Sequence, residues 1–238
     1  MATHRVTTEN APFADRNKNF LPFLKTFEIA SKEDKMLDLT TKFLEPGETL
    51  VCFGDSITHA NPGYVGVLQE RLPENKIINA GVGGDKTITA LMRFQRDVLD
   101  VKPDAVSIFL GTNDSLVGRS CWADEPMISA EAYRCNLVWM AHLAILNGIK
   151  KVSIATPLAE PEGNNWYEQG DMYAEYCLAA RAAANEMKLR IIPLDSMFRD
   201  EWRKHPGHTG LLLTKDGVHP TDEGYRMIAE TFLKAWNQ

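Results

Sequence analysis

Four short polar segments hold residues whose types can do covalent chemistry. They are Gly54-Asp55-Ser56-Ile57-Thr58, Asn79-Ala80-Gly81-Val82-Gly83-Gly84-Asp85, Gly111-Thr112-Asn113-Asp114 and Asp216-Gly217-Val218-His219-Pro220. A serine hydroxyl is a poor nucleophile near neutral pH and needs an adjacent base to take its proton. Imidazole suits that task because it accepts and returns a proton around neutrality. Among the histidines, only His219 stands three residues after an aspartate, in a Gly- and Pro-flanked loop that enters a helix pattern. That spacing lets Asp216 accept from one ring nitrogen while the other faces Ser56. Taken alone, a turn followed by a helix start explains Asp216 and His219 equally well.

The neighbouring polar residues have less evident tasks. Asp55 and Asp114 are expected to organise their loops through side-chain to backbone bonds, with Asp55 also a candidate substrate contact. His59, close behind Ser56, is a candidate for the pocket mouth, the alternative being a solvated loop histidine. His4, His142, His205 and His208 are expected at the surface or in packing. A metal-dependent phosphoesterase would use Asp55, Asn113, Asp114, Asp216 and His219 as ligands. Two-metal sites generally want several histidines beside the carboxylates, and only His219 and His59 lie near these loops. No metal and no cofactor is expected. The nucleophile elbow Gly-x-Ser-x-Gly fails because Thr58 stands at its final glycine. The nucleotide fingerprints fail as well: Lys86 stands where Gly-x-Gly-x-x-Gly needs its third glycine, and Gly-Lys-Ser/Thr is absent.

These segments must be carried by regular elements. From about residue 49, short apolar runs alternate with longer helix-period stretches, the pattern of a parallel α/β sheet. Strands are expected at Thr49–Phe53, Lys76–Asn79, Ala105–Leu110, Lys151–Thr156 and Arg190–Pro193. Helices are expected at Gly63–Leu72, Thr87–Leu99, Ala130–Asn147, Tyr167–Met187 and Asp222–Trp236, with Ser129 and Thr221 as N-caps and Gly148 just past a helix end. Five strands with right-handed crossovers predict an α/β fold of three layers, α/β/α, with flavodoxin-like strand order 2-1-3-4-5. In such sheets ligands bind outside the carboxyl ends of the strands. The first three polar segments fall at such ends.

Taken together and in this order, the four segments resemble the four blocks of the SGNH (GDSL-type) hydrolases, over about residues 49 to 236. The resemblance implies a serine-dependent carboxylic ester hydrolase with an acyl-enzyme mechanism, Ser56 as nucleophile, His219 as base and Asp216 as its partner. It implies an oxyanion hole made of the Ser56 N–H, the Gly84 N–H and the Asn113 amide. The doubled glycine leaves Gly83 open for the second donor. The family spans carbohydrate acetylesterases, lysophospholipases, thioesterases and arylesterases. Two loops are expected to choose among them: Ser115–Ile128 with Arg119 and Trp122, and Leu158–Gly170 with Trp166 and Tyr167. Trp122 and Trp166 are candidate substrate contacts, able to stack on sugar faces or to anchor their loops. Neither loop has a long apolar run to line an acyl tunnel, so a short acyl ester of a carbohydrate or small polar alcohol is the expected substrate. A binding module that has lost catalysis is the competing non-enzyme reading.

Bulk properties exclude other classes. With 44% hydrophobic and 24% charged residues the chain can build an ordinary core. A net charge of −6 argues against nucleic acid, which needs a basic face. No stretch is long and apolar enough for stable membrane insertion, and the start lacks the pattern of a secretory signal. A cytoplasmic location with reduced cysteines is the expectation. Residues 1–48 lie outside the α/β pattern, as an N-terminal extension before the domain at 49–238. Phe13, Phe20, Phe23 and Phe27 concentrate there. Packing on the domain is one reading of them; docking on a neighbouring subunit, giving a homo-oligomer, and a lipid-facing flap are the others.

Overall fold

The computed structural model describes residues 40–115, 126–158, 162 and 173–238. In chain order they form β1 (Thr49–Gly54), α1 (Ser56–His59), α2 (Tyr64–Arg71), β2 (Lys76–Gly81) and α3 (Thr87–Phe94), which runs on as a π-helical turn at Gln95–Leu99. There follow β3 (Ala105–Phe109), α4 (Ala130–Leu146), β4 (Lys151–Ala155), α5 (Ala174–Glu186), β5 (Arg190–Ile192), α6 (Leu194–Arg203) and α7 (Asp222–Trp236).

The five strands make one parallel sheet in the order β2-β1-β3-β4-β5, as the alternation of elements predicts. Successive residues of β1 feed opposite faces, the two-residue period of a strand. Leu50 and Cys52 pack with Tyr64 and Leu68 of α2, Phe198 of α6 and Ile228, Phe232 and Trp236 of α7. Val51 and Phe53 pack with Phe94 of α3, Tyr133, Leu137 and Met140 of α4, and Ala180 and Ala183 of α5. Three layers result, α/β/α. Burial pushes the Cys52 thiol up to about 12, so it acts as a small apolar group. Buried serines on two central strands satisfy each other, Ser153 Oγ lying 3.0 Å from Ser107 Oγ, and the Trp236 indole N–H donates to Ser153 at 3.2 Å.

Local chemistry ends the helices where the sequence predicts. Ser129 accepts the Ala132 N–H at the start of α4, and Thr221 accepts the Gly224 N–H at the start of α7. Gly148 follows α4 with φ +88°. Two helices were not anticipated, the single turn α1 and the longer α6. α6 directly follows Pro193, where the strand pattern breaks; Leu194 and Phe198 are buried in the core and Met197 and Trp202 pack partly buried against it, a stripe at helical spacing. Helix α5 is described from Ala174; residues 167–172 of the expected helix lie outside the described residues. So do Phe13, Phe20, Phe23 and Phe27. Within the expected extension, Phe43 and Leu44 are buried in the core, Phe43 stacking on Trp236 with ring centroids 5.1 Å apart.

Candidate active site

The sheet register assembles the site. Gly54, the last residue of β1, is opposite Gly81 of β2 and Phe109 of β3. The three strands therefore end level, and the loops that follow them emerge side by side. Gly54 must be glycine: a β-carbon there would lie 2.1 Å from Thr58 Oγ1 and 2.5 Å from the Phe109 carbonyl. That close approach lets the chain turn at once into α1, placing Ser56 at its first residue. Asp55 caps the turn, its Oδ1 accepting the Ile57 N–H at 3.0 Å.

Ser56 Oγ lies 2.9 Å from His219 Nε2, and His219 Nδ1 lies 2.7 Å from Asp216 Oδ2. Asp216 Oδ1 also accepts the backbone N–H groups of Val218 at 3.0 Å and His219 at 2.7 Å. The carboxylate thus shapes its own loop and orients the ring. Partial burial works to raise the Asp216 carboxyl, but these N–H donors and the ring outweigh it and hold its pKa below the ordinary value. Asp216 therefore stays anionic over the range in which an imidazole gains and loses a proton. The side chains of His219 and Asp216 are 43% and 54% exposed, so the pair is open to solvent.

The second and third loops border Ser56. A β-carbon on Gly83 would come 4.0 Å from Ser56 Cβ, so this turn flanks the nucleophile. Gly84 takes φ +81°, a conformation that favours glycine. Asn113 is buried, and its amide donates to the Asp85 carbonyl at 3.0 Å with a longer contact of 3.4 Å to Asp55 Oδ2. Asp114 accepts the Thr87 N–H with both oxygens at 3.1 Å and also the Thr87 hydroxyl, tying the third loop to the start of α3.

Of the sequence candidates, Ser56, Asp216 and His219 come into one hydrogen-bonded chain, with Gly84 and Asn113 on the adjoining loops. The Asp55 carboxylate is buried and directed to Ile57 and Asn113, the loop-organising arrangement expected of it. Asp114 organises its loop as expected. His59 is exposed one turn after Ser56, with its Nδ1 3.0 Å from the Gly81 carbonyl. Trp122, Trp166, Arg119 and Tyr167 lie outside the described residues. Asp55 and Asp114 spend their oxygens on protein donors, a poor donor set for metal ions. Among the described residues no group of three or more His, Cys, Asp or Glu is arranged to hold one.

Residues 52–227 match the family described as GDSL-like Lipase/Acylhydrolase. The chain belongs to this family. The GDSL hydrolase is accordingly a carboxylic ester hydrolase. It is 34% identical over 152 residues to YqeF of Bacillus subtilis, an uncharacterized lipoprotein, and the match covers 59% of each chain. It is 28% identical over 212 residues to an acetylxylan esterase of Geobacillus stearothermophilus, covering 79% of this chain and 93% of that one. Among solved structures, LAE5, an α/β hydrolase enzyme from the metagenome of Lake Arreo, superposes with a TM-score of 0.70 at 25% identity, over 83% of this chain and 98% of its own.

Arg93 and Asn79 of this GDSL hydrolase have roles that the sequence did not assign to them. Arg93 on α3 is buried, donates to the carbonyls of Gly54 at 2.8 Å and Ala80 at 2.9 Å, pairs with Asp85 and Asp97, and lies 4.1 Å over the Phe53 ring. It binds the ends of β1 and β2 to the second loop. Its signal was an arginine among Ala90, Phe94 and Val98 on a helix face that otherwise reads as core. Asn79 donates to the Thr58 carbonyl at 2.7 Å and accepts the Gly81 N–H at 3.0 Å, joining β2 to α1.

The buried acids carry a pH signature. Burial pushes Asp55 up to about 7, with the Ile57 N–H opposing it and the Asp114 charge adding to it. Asp114 is raised to about 6 by burial, against the pull of Thr87. A folded-state pKa above the ordinary carboxylate value means the folded chain keeps a proton that the unfolded chain has lost. The stability from that proton is full below about pH 4 and is lost as pH rises through about 7. Asp55→Asn keeps an acceptor for Ile57 and cannot ionise. The melting temperature of the variant relative to wild type is therefore expected to rise between about pH 5 and pH 8. A difference that stays constant across this range would contradict a buried, raised Asp55.

Proposed function

We propose that this enzyme removes short acyl groups, acetyl foremost, from a carbohydrate or small polar alcohol, through an acyl-enzyme on Ser56. The observation that carries the mechanism is the chain Ser56–His219–Asp216, with contacts of 2.9 and 2.7 Å at the level ends of three strands. His219 Nε2 takes the hydroxyl proton as Ser56 Oγ attacks the ester carbonyl. Asp216 balances the charge on the ring. The oxyanion is held by the N–H groups of Ser56 and Gly84, for which no protein acceptor is seen among the described residues, and by the Asn113 amide. The Asp85 carbonyl takes one Asn113 N–H and orients the plane, leaving the second, with only its 3.4 Å contact to Asp55, for the oxyanion. The tetrahedral intermediate collapses, His219 protonates the departing alcohol, and water repeats the sequence on the acyl-serine.

The substrate reading draws on the acetylxylan esterase relative and on the solvent-open catalytic pair. A panel of p-nitrophenyl esters from acetyl to dodecanoyl, with acetylated xylo-oligosaccharides alongside, tests it. Turnover is expected to be fastest on acetyl and to fall with acyl length, with acetate released from the oligosaccharides. Rates that climb toward dodecanoyl would instead favour a lysophospholipase or thioesterase.

Asn113→Ala checks the oxyanion role. A donor acting on the transition state changes kcat more than KM. With two backbone donors left, kcat is expected to fall about 10²-fold with KM nearly unchanged. An effect confined to KM would make Asn113 a ground-state contact.

A further inference from the structure

Glu162 is 1% exposed, yet its carboxylate has no part in the chemistry above. Oε1 accepts the Trp202 indole N–H of α6 at 2.9 Å. Oε2 accepts Leu212 N at 2.9 Å, Thr214 N at 2.7 Å and Thr214 Oγ1 at 2.6 Å, and both oxygens face Leu213 N at 2.9 Å. Three consecutive backbone N–H groups and a hydroxyl thus converge on one buried carboxylate, as such groups converge on a bound anion. All these donors are neutral. The Glu162 backbone N–H donates to the Gly217 carbonyl at 3.0 Å, and Gly217 N donates to Thr214 Oγ1 at 3.1 Å.

The segment held in this way is the stem of the loop that bears Asp216 and His219. Thr214 bridges Pro220 across the neck, Lys215 N donates to the His219 carbonyl at 2.8 Å, and Thr221 N to the Leu213 carbonyl at 2.8 Å. At the tip, both catalytic side chains are about half exposed, so surrounding packing does little to hold them. Their aim at Ser56 depends on the stem, and the stem is organised around the Glu162 carboxylate.

We propose that Glu162 is a positioning residue for His219, fixing the loop stem so that Nε2 stays within reach of Ser56 Oγ. The proposal rests on the serine-esterase reading. Glu162→Gln keeps the shape but sets an amide NH2 against N–H groups. A base displaced by a fraction of an ångström slows the chemical step and leaves binding intact, so kcat is expected to fall about 10–100-fold with KM within about twofold. Labelling of Ser56 by a fluorophosphonate, which also needs the base, should slow by the same factor per folded molecule, with the far-UV spectrum unchanged. A folded variant that turns over and labels at wild-type rates overturns the proposal, as does a change confined to KM. If Glu162→Gln does not fold, Thr214→Val removes one donor to the carboxylate and the acceptor for Gly217. A fall in kcat of about 3–10-fold is then expected, and a wild-type kcat overturns the proposal. Wild-type enzyme that fails to label at Ser56 would defeat the serine-esterase reading itself, a result distinct from either.

Discussion

Ser56→Ala is expected to lower ester hydrolysis by at least about 10³-fold while the protein stays folded. Among the described residues the hydroxyl is the one nucleophile within hydrogen-bond reach of His219, at 2.9 Å. Without it no acyl-enzyme forms, and what remains is slow attack by water helped by the oxyanion donors. Ser56 is only partly buried at the first residue of α1, so losing its hydroxyl opens no cavity, and the melting temperature should change little. Turnover on p-nitrophenyl acetate and fluorophosphonate labelling report the same event independently. A variant that keeps more than a few per cent of wild-type turnover would remove Ser56 from the nucleophile's role.

His219→Ala is expected to cost nearly as much as Ser56→Ala, because residues that act as one unit lose their contribution together. Asp216→Asn should cost less. It leaves Oδ1 as acceptor for the backbone N–H groups of Val218 and His219 and still packs against the ring, and its native side chain is already half exposed, which weakens its electrostatic effect. The two variants measured on one ester, with kcat and KM separated, give the order. If Asp216→Asn proves the more damaging, another base serves Ser56. His59 is the neighbouring candidate, although its Nδ1 is engaged with the Gly81 carbonyl. In wild-type enzyme kcat/KM should fall as the medium becomes acid, since a protonated imidazole cannot accept the serine proton.

Much of this architecture was legible in the chain because its causes are local. An apolar run ending in Gly-Asp-Ser dictates a strand and a tight turn, since Asp55 reaches a backbone N–H two residues on. Asp216 and His219 orient each other within one loop, so their spacing in sequence already contains their geometry. Five such alternations of apolar run and helix period leave few topologies, and the parallel order with β1 central is one of them.

Other features could not be read so. Arg93 and Glu162 act largely on backbone carbonyls and N–H groups, which every residue carries and which therefore leave no mark in the sequence of those partners. α6 starts directly after Pro193 with no capping side chain, so nothing local marks its start, although Leu194, Met197, Phe198 and Trp202 recur at helical spacing.

By itself, then, the sequence determined the strand ends, the turns after them and the Asp216–His219 pair, because each is set by contacts between near neighbours. Only the tertiary structure decided that Ser56 and His219, 163 residues apart, meet at 2.9 Å. That distance depends on the level register of β1 with β2 and β3, on α7 packing through Phe232 and Trp236, and on a loop stem gathered around a buried carboxylate. Such long-range placement is the sum of many non-directional contacts and backbone bonds, and no short motif can encode it.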